Sequence, residues 1–195
     1  MKIRTFFKTL AALSTLVLAI GTVCLFIFRP SADRVRSEKY AVYSAYLDSK
    51  LTGLSHDLGS PEGLSVIVGV TMAPSVATRT NMKHNLPFIR SSTLRNFTLC
   101  NLQDERLTRD FQISAKYVLI TKEEARQANT VDFLHKYPGS YGYVTLSKVG
   151  FNTDLTEALF YSEHICGLCG GGEYVLMQKI DAHWKIVGES FTWVS

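Results

Sequence analysis

The residues best suited to chemistry form a cysteine- and glycine-rich segment in the last third of the chain. It reads His164-Ile-Cys166-Gly-Leu-Cys169-Gly-Gly-Gly172. Two cysteines separated by two residues can close a disulfide, can cycle as a redox pair, or can bind zinc or copper together with a histidine. Cys166 and Cys169 are therefore candidates for a disulfide or redox pair. The three residues His164, Cys166 and Cys169 are candidates for a metal site.

The sequence around these cysteines favours a structural disulfide over the other two interpretations. In the thioredoxin arrangement a helix follows the motif and stabilises a thiolate, whereas here three glycines and a predicted strand follow. A tetrahedral metal site needs a fourth ligand, and the sequence places neither Cys100 nor His183 nearby. Cys100 is also an alternative disulfide partner, and free buried thiols are a further interpretation.

No other catalytic motif is recognisable. The chain has no G-x-S-x-G, H-E-x-x-H or Walker sequence, and its glycine run lacks the helix or Lys-Ser/Thr pair that a phosphate cradle needs. We therefore expect no cofactor. A non-enzymatic binding or interaction domain is the favoured function, and thiol–disulfide or metal handling by Cys166 and Cys169 is the alternative.

A second candidate site is a segment that carries basic residues only. Residues 63–103 contain four basic residues and no acidic one, which suits an anionic ligand or phospholipid headgroups. These four residues are Arg79, Lys83, Arg90 and Arg95. The rest of the domain is balanced, because residues 31–195 as a whole hold 17 basic and 17 acidic residues. A nucleic-acid partner is therefore not expected.

The amino-terminal segment is long and apolar enough to cross a membrane. Residues 9–28 contain no charge, and a helix of about 20 residues spans the hydrocarbon core. This predicts a single-pass anchor within residues 1–30, a linker over 31–37 and one domain over 38–195. The short amino-terminal tail and the likeness to an export signal favour a domain on the extracytoplasmic side. The alternative is a cleaved signal, which leaves a secreted or periplasmic domain.

The helices that have to position these residues are visible as local patterns. Tyr40, Tyr43 and Leu47 follow the three-and-four spacing of one helical face, which predicts a helix over 38–58 with a buried tyrosine and leucine stripe and Ser37 as its cap. Residues 121–124 read Thr-Lys-Glu-Glu, a capping box that predicts the start of another helix. A third helix is predicted from Ser91 or Ser92 to residue 103.

Alternating and β-branched segments predict the strands. An antiparallel meander of four strands is expected over 143–151, 156–165, 173–180 and 184–194, and earlier strands over 64–72 and 111–120. The expected fold class is α+β: an antiparallel sheet of five or six strands, packed on one face by the long amino-terminal helix and by smaller helices.

Residues 137–195 also resemble the carboxy-terminal part of a group of exported bacterial proteins of uncharacterised function. The resemblance rests on YPGS at 137–140, SKVGFN at 147–152, ALFY at 158–161, GLCGGG at 167–172, WVS at 193–195, Trp184, and YAVYSA at 40–45. It implies export and a shared fold, and it assigns no catalytic residue. The hairpin from Lys179 to Lys185 is similar to one that recurs in cone-shaped, ligand-binding α+β domains.

Overall fold

A mixed sheet with helices on both faces is the framework of this computed structural model, which describes residues 30–58, 64–74, 82–127, 130–166 and 170–195. The helices are α1 (Ala32–Leu58), α2 (Met82–Asn85), α3 (Ser91–Cys100), α4 (Lys122–Gln127) and α5 (Thr130–Lys136). The strands are β1 (Leu64–Val68), β2 (Lys116–Ile120), β3 (Ser140–Leu146), β4 (Gly150–Phe151), β5 (Glu157–Ile165), β6 (Gly170–Ile180) and β7 (His183–Val194). The fold class is therefore α+β, as predicted.

The predicted membrane segment, residues 9–28, lies outside the described residues. Among the helices that are described, none combines the length and the apolar character needed to cross a bilayer. The residues from Asp33 to Ser195 belong to one compact unit.

The sheet is only partly antiparallel, so the prediction of a purely antiparallel sheet is wrong. Its strand order is β2-β1-β3-β5-β6-β7, with β4 pairing beside β5. β1 runs parallel to both β2 and β3, because the connections between these strands contain helices that return the chain to the same end of the sheet. The apolar and buried end of β1, residues 66–68, suits a strand between two neighbours. The meander is confirmed, since β3, β5, β6 and β7 are successive antiparallel neighbours.

Helix α1 covers one face of the sheet with the predicted tyrosine stripe. Tyr40, Tyr43, Tyr46 and Leu47 are all buried, and the rings of Tyr43 and Tyr46 meet Phe160 of β5 edge-on at centroid distances of 5.7 and 5.0 Å. Tyr40, Tyr43 and Leu47 of the predicted stripe are thus confirmed as core, where such aromatic pairs add to the hydrophobic stabilisation. The side chains of its other members, Leu51, Leu54 and Leu58, lie outside the described part of the chain.

The start of α1 differs from the prediction. The helix begins at Ala32, directly after Pro30 and Ser31, so the predicted linker over 31–37 is almost entirely helical. Proline suits the beginning of a helix, and residues 32–37 contain no glycine or proline that would prevent it. Ser37 is therefore inside α1 and does not cap it.

Helix α3 packs on the opposite face, where its buried Phe97 contacts the ring of Tyr174. Its start is not capped by Ser91 or Ser92, which are both helical, and it ends at Cys100, before residue 103. Instead, the buried carboxylate of Glu157 accepts hydrogen bonds from the Arg90 backbone N–H at 2.9 Å and from Thr93 Oγ1 at 2.6 Å. A carboxylate from β5 thus stabilises the positive end of the helix.

Several strands are shorter than their patterns predicted. The segment over 143–151 is divided into β3 and β4, because the Asn101 side chain bonds the backbone N–H and carbonyl of Lys148 and so removes them from the ladder. The segments over 64–72 and 111–120 form strands only at β1 and β2.

The capping box is confirmed at α4. The Glu124 backbone N–H donates to Thr121 Oγ1 at 3.1 Å, and the Thr121 backbone N–H donates to Glu124 Oε2 at 2.9 Å. Lys136 of α5 donates to the other oxygen of Glu124 at 2.7 Å, which joins the two short helices. These bonds, with that of Lys136 first, lower the pKa of Glu124 to about 2.

Replacing Gly150 by alanine should destabilise the domain. An added Cβ would lie 2.3 Å from the Phe97 Cα, so α3 would have to move away from β4. We expect a loss of about 1–3 kcal/mol in the free energy of unfolding, measured by urea denaturation. Gly69→Ala is the control, because its Cβ would come no closer than 3.3 Å to another residue. If both variants lost the same small amount of unfolding free energy, the close approach of Phe97 to Gly150 would be contradicted.

Glu124→Gln should lower stability at pH 7 but not at pH 2. Because the pKa of Glu124 is lowered to about 2 from 4.5, its stabilising effect is complete above pH 4.5 and is lost as the pH falls towards 2. Thermal unfolding of the variant and of the wild type should therefore converge across this range. Glu123→Gln, on the next residue, is the control. A difference that stays constant with pH would refute the role of this carboxylate.

Candidate functional site

A cavity of about 320 Å³ opens at the end of the sheet where β5 ends and β6 begins. Residues of α1, β1, β3, β6 and β7 form its walls. The apolar residues that line it are Leu47, Leu64, Val66, Val144, Phe191 and Val194, of which Leu64 and Val66 pack their side chains in the cluster of α4 and α5. Its volume lies at the lower end of the range of small-molecule sites, roughly 300–1,000 Å³.

The rim of this cavity carries exposed apolar side chains. Phe191 is 61 % exposed and Val194 is 75 % exposed, and both belong to the carboxy-terminal end of β7. Large apolar side chains that stay in water beside a cavity are typical of surfaces that bind another molecule.

A buried glutamate with one unpaired oxygen is the main polar group of the cavity. The side chain of Glu173 is only 9 % exposed, and its Oε1 accepts hydrogen bonds from the Tyr46 hydroxyl at 2.9 Å and from Lys50 Nζ at 2.9 Å. Its Oε2 is buried, and no donor of the described residues reaches it. An ionised carboxylate accepts several hydrogen bonds, so half of this group's capacity is unused.

Lys50 links Glu173 to a second glutamate, Glu189 of β7, which does not line the cavity. Its Nζ lies 2.7 Å from Glu189 Oε1, and it also stands over the rings of Tyr46 and Phe191 at 5.7 and 6.0 Å. Burial lowers the pKa of Lys50, but the hydrogen bonds to Glu189 and Glu173 outweigh burial and raise it. Lys50 therefore carries a positive charge, and two carboxylates share it.

Tyr46 keeps its proton and acts as a hydrogen-bond donor in this cluster. Burial, followed by the charge of Glu173, raises the pKa of Tyr46 well above its ordinary value. A phenol that stays neutral next to a carboxylate fixes that carboxylate in place. The helix thus supplies both donors, Tyr46 and Lys50, to a single oxygen of Glu173.

Two small residues complete the walls. Ser65 of β1 lines the cavity, and its buried hydroxyl has no partner in the described part of the chain. Gly171 of β6 leaves its position empty, since an added Cβ would meet only the Trp193 carbonyl oxygen, at 3.3 Å. The cavity therefore exists partly because β6 begins with glycine.

The structure brings one of the predicted metal ligands to this cavity. His164 lines it, and Cys166 follows directly after β5, whereas Cys169 lies outside the described residues. The disulfide, redox and metal predictions for these residues therefore stay predictions. Within the described ranges, no three His, Cys, Asp or Glu side chains are grouped to hold a metal ion.

The proposed fourth metal ligands are not available to this segment. His183 pairs with Ile180 at the far end of β6, and ten residues of extended strand, about 33 Å, separate that end from Gly170. Cys100 is a free thiol in α3, where it donates to the carbonyl oxygens of Phe97 and Val149 at 3.4 and 3.6 Å. Cys100 is therefore not a disulfide partner.

The basic segment is only partly described. Arg79 and the side chain of Lys83 lie outside the part of the chain that the structure describes. Arg90 Nε lies 3.6 Å from Glu157 Oε2, so its charge already faces a carboxylate, and Arg95 is exposed on α3. An anionic-ligand or headgroup face over these four residues remains a prediction.

The sequence interpretation missed the residues that matter most here, namely Tyr46, Lys50, Ser65 and Glu173. One signal was present: Glu173 is a charged residue within a strand that is otherwise glycine or apolar up to Met177. A charged residue in a buried strand is rare unless it is paired or functional.

Cys100 should react slowly with thiol reagents. Burial raises the pKa of Cys100 to about 11, so the reactive thiolate is scarce at neutral pH. We expect N-ethylmaleimide to label it only after denaturation, as measured by intact mass and peptide mapping of the full-length chain. Free cysteine under the same conditions is the control. Rapid labelling of the native protein would contradict this placement.

No protein-family model, no curated protein and no solved structure matches this chain. A function has to be inferred from the geometry of its own residues.

Proposed function

We propose that this chain is a non-enzymatic binding domain, anchored in a membrane through residues 9–28, with its domain on the extracytoplasmic side. The cavity beside Glu173 is the proposed binding site. The single observation that carries this proposal is a buried carboxylate oxygen without a donor in the wall of an apolar cavity. Concave, mainly apolar sites with a few polar groups are where proteins bind small molecules.

The energetic cost of this oxygen supports the proposal. A buried acceptor that loses its hydrogen bonds destabilises the folded state by about 1–3 kcal/mol, and by more when it is charged. The bonds from Tyr46 and Lys50 explain the buried position of Oε1, but no contact within the described residues explains that of Oε2. A ligand that donates a hydrogen bond to Oε2 would supply the missing bond, and the free energy gained would contribute to the affinity of that ligand.

A second candidate function is thiol–disulfide or metal chemistry at Cys166 and Cys169. Ile165 of β5 pairs with Gly170 of β6. In the sequence, Cys166 directly follows Ile165 and Cys169 directly precedes Gly170. Opposed residues of antiparallel strands have Cα atoms about 4.5–5.5 Å apart, and a disulfide needs about 4.4–6.8 Å. A register continued by one residue would thus bring the two sulfurs within bonding reach, as the oxidised form of a thiol–disulfide pair requires. Alkylation of the denatured, unreduced chain should then modify two of its four cysteines.

The binding site is tested by filling the cavity. The uncharged probe 2-phenylethanol should bind the full-length chain in lipid nanodiscs, as measured by saturation-transfer NMR with empty nanodiscs subtracted. Gly171→Leu and Val144→Phe place side chains in the cavity and should each weaken binding at least about tenfold. Val187→Phe adds the same ring to an exposed position outside the cavity and is the control.

Two results would contradict this binding site. One is an absence of binding to the wild-type chain. The other is equal binding by the wild type and by both cavity-filled variants, which would place the probe elsewhere. Thermal unfolding of each variant establishes that it is folded before its binding is compared.

A further inference from the structure

We infer that the cavity beside Glu173 binds a small molecule that carries a protonated amine on an apolar body, and that Glu173 Oε2 accepts the hydrogen bond of that amine. This inference rests on the proposed function, because it assigns a ligand class to the same cavity. Three properties of the site support it: its charge, its hydrogen-bonding capacity and the nature of its walls.

The charge of the site is negative. Lys50 is the basic residue of the cluster, and it lies 2.9 Å from Glu173 and 2.7 Å from Glu189. One positive charge is thus shared by two negative charges, which leaves an excess of one negative charge beside the cavity. In a site shielded from water a cation is attracted by this excess, and an anion such as a carboxylate or phosphate is repelled.

The hydrogen-bonding capacity of the site calls for a donor. Tyr46 and Lys50 both donate to Oε1 of Glu173, so Oε2 is the acceptor that remains. The hydroxyl of Ser65, which is also buried and without a partner among the described residues, can accept a second hydrogen bond. An ammonium group offers three donors, and its bond to a carboxylate is stronger than that of a neutral hydroxyl.

The walls require an apolar body next to the amine. Leu47 and Val144 line the interior, and exposed Phe191 stands at the rim. The volume of about 320 Å³ is enough for one aromatic ring or a short aliphatic chain, and it is small for a folded partner. The ring of Phe191 also offers a face that attracts cations, as its contact with Lys50 illustrates.

The test compares three probes that share a phenyl ring and differ in their polar group. These are 2-phenylethylammonium, 2-phenylethanol and 3-phenylpropanoate, each titrated against the full-length chain in lipid nanodiscs of neutral lipid and followed by saturation-transfer NMR. We expect the ammonium probe to bind about tenfold more tightly than the alcohol, and the carboxylate to bind most weakly.

The variant Glu173→Gln links this preference to one atom. It keeps the size of the side chain and an Oε1 acceptor for Tyr46 and Lys50, but it replaces the Oε2 acceptor by an NH₂ donor. The ammonium probe should then bind no better than the alcohol. Glu163→Gln is the matched control, because Glu163 bonds the Tyr161 hydroxyl and does not line the cavity, and it should change the ammonium affinity less than about threefold.

The outcomes separate this inference from the proposed function. If none of the probes binds the wild-type chain, the binding site itself is refuted. If all three probes bind equally, or if the carboxylate binds best, the cavity binds ligands but the amine preference is overturned. An ammonium preference that survives Glu173→Gln would also overturn it. Should that variant fail to fold, the ranking of the three probes on the wild type decides.

Discussion

The position of helix α1 on the sheet is fixed by the hydroxyl groups of three buried tyrosines. Tyr40 accepts from the Thr108 backbone N–H at 2.7 Å, Tyr43 donates to the Ser147 carbonyl at 2.7 Å, and Tyr46 donates to Glu173 at 2.9 Å. Since a buried hydroxyl without a partner is costly, the helix cannot slide or rotate without losing these bonds together. Hydrophobic packing brings α1 to the sheet, and the three phenols set its register there.

The same constraint shapes the cavity. With Tyr46 held against Glu173, the next turn of α1 brings Lys50 to the same carboxylate oxygen, so both donors of the helix are used on Oε1. Gly171 near the start of β6 keeps the adjoining space open, and Oε2 stays buried beside it without a donor from the described residues. An interaction that stabilises the fold therefore also leaves one carboxylate oxygen to be satisfied by a ligand.

The sequence predicts what depends on neighbouring residues and misses what depends on distant ones. The buried face that Tyr40, Tyr43 and Leu47 form on α1 and the Thr121–Glu124 capping box are local patterns, and both are confirmed. The parallel pairing of β1 depends on the path that the long connecting segments take back to the sheet. The break after β3 depends on Asn101, which is 47 residues away from Lys148. The cavity escaped prediction for the same reason, since Tyr46 and Glu173 are separated by 127 residues.

The most direct test of this account is a crystal structure of the protein with 2-phenylethylammonium bound. We expect an ammonium nitrogen about 2.7–3.2 Å from Glu173 Oε2, with Tyr46 and Lys50 still bonded to Oε1 and the phenyl ring among the apolar walls. A structure in which a side chain or backbone group of the protein itself donates to Oε2, and in which the cavity holds no ligand, would contradict it.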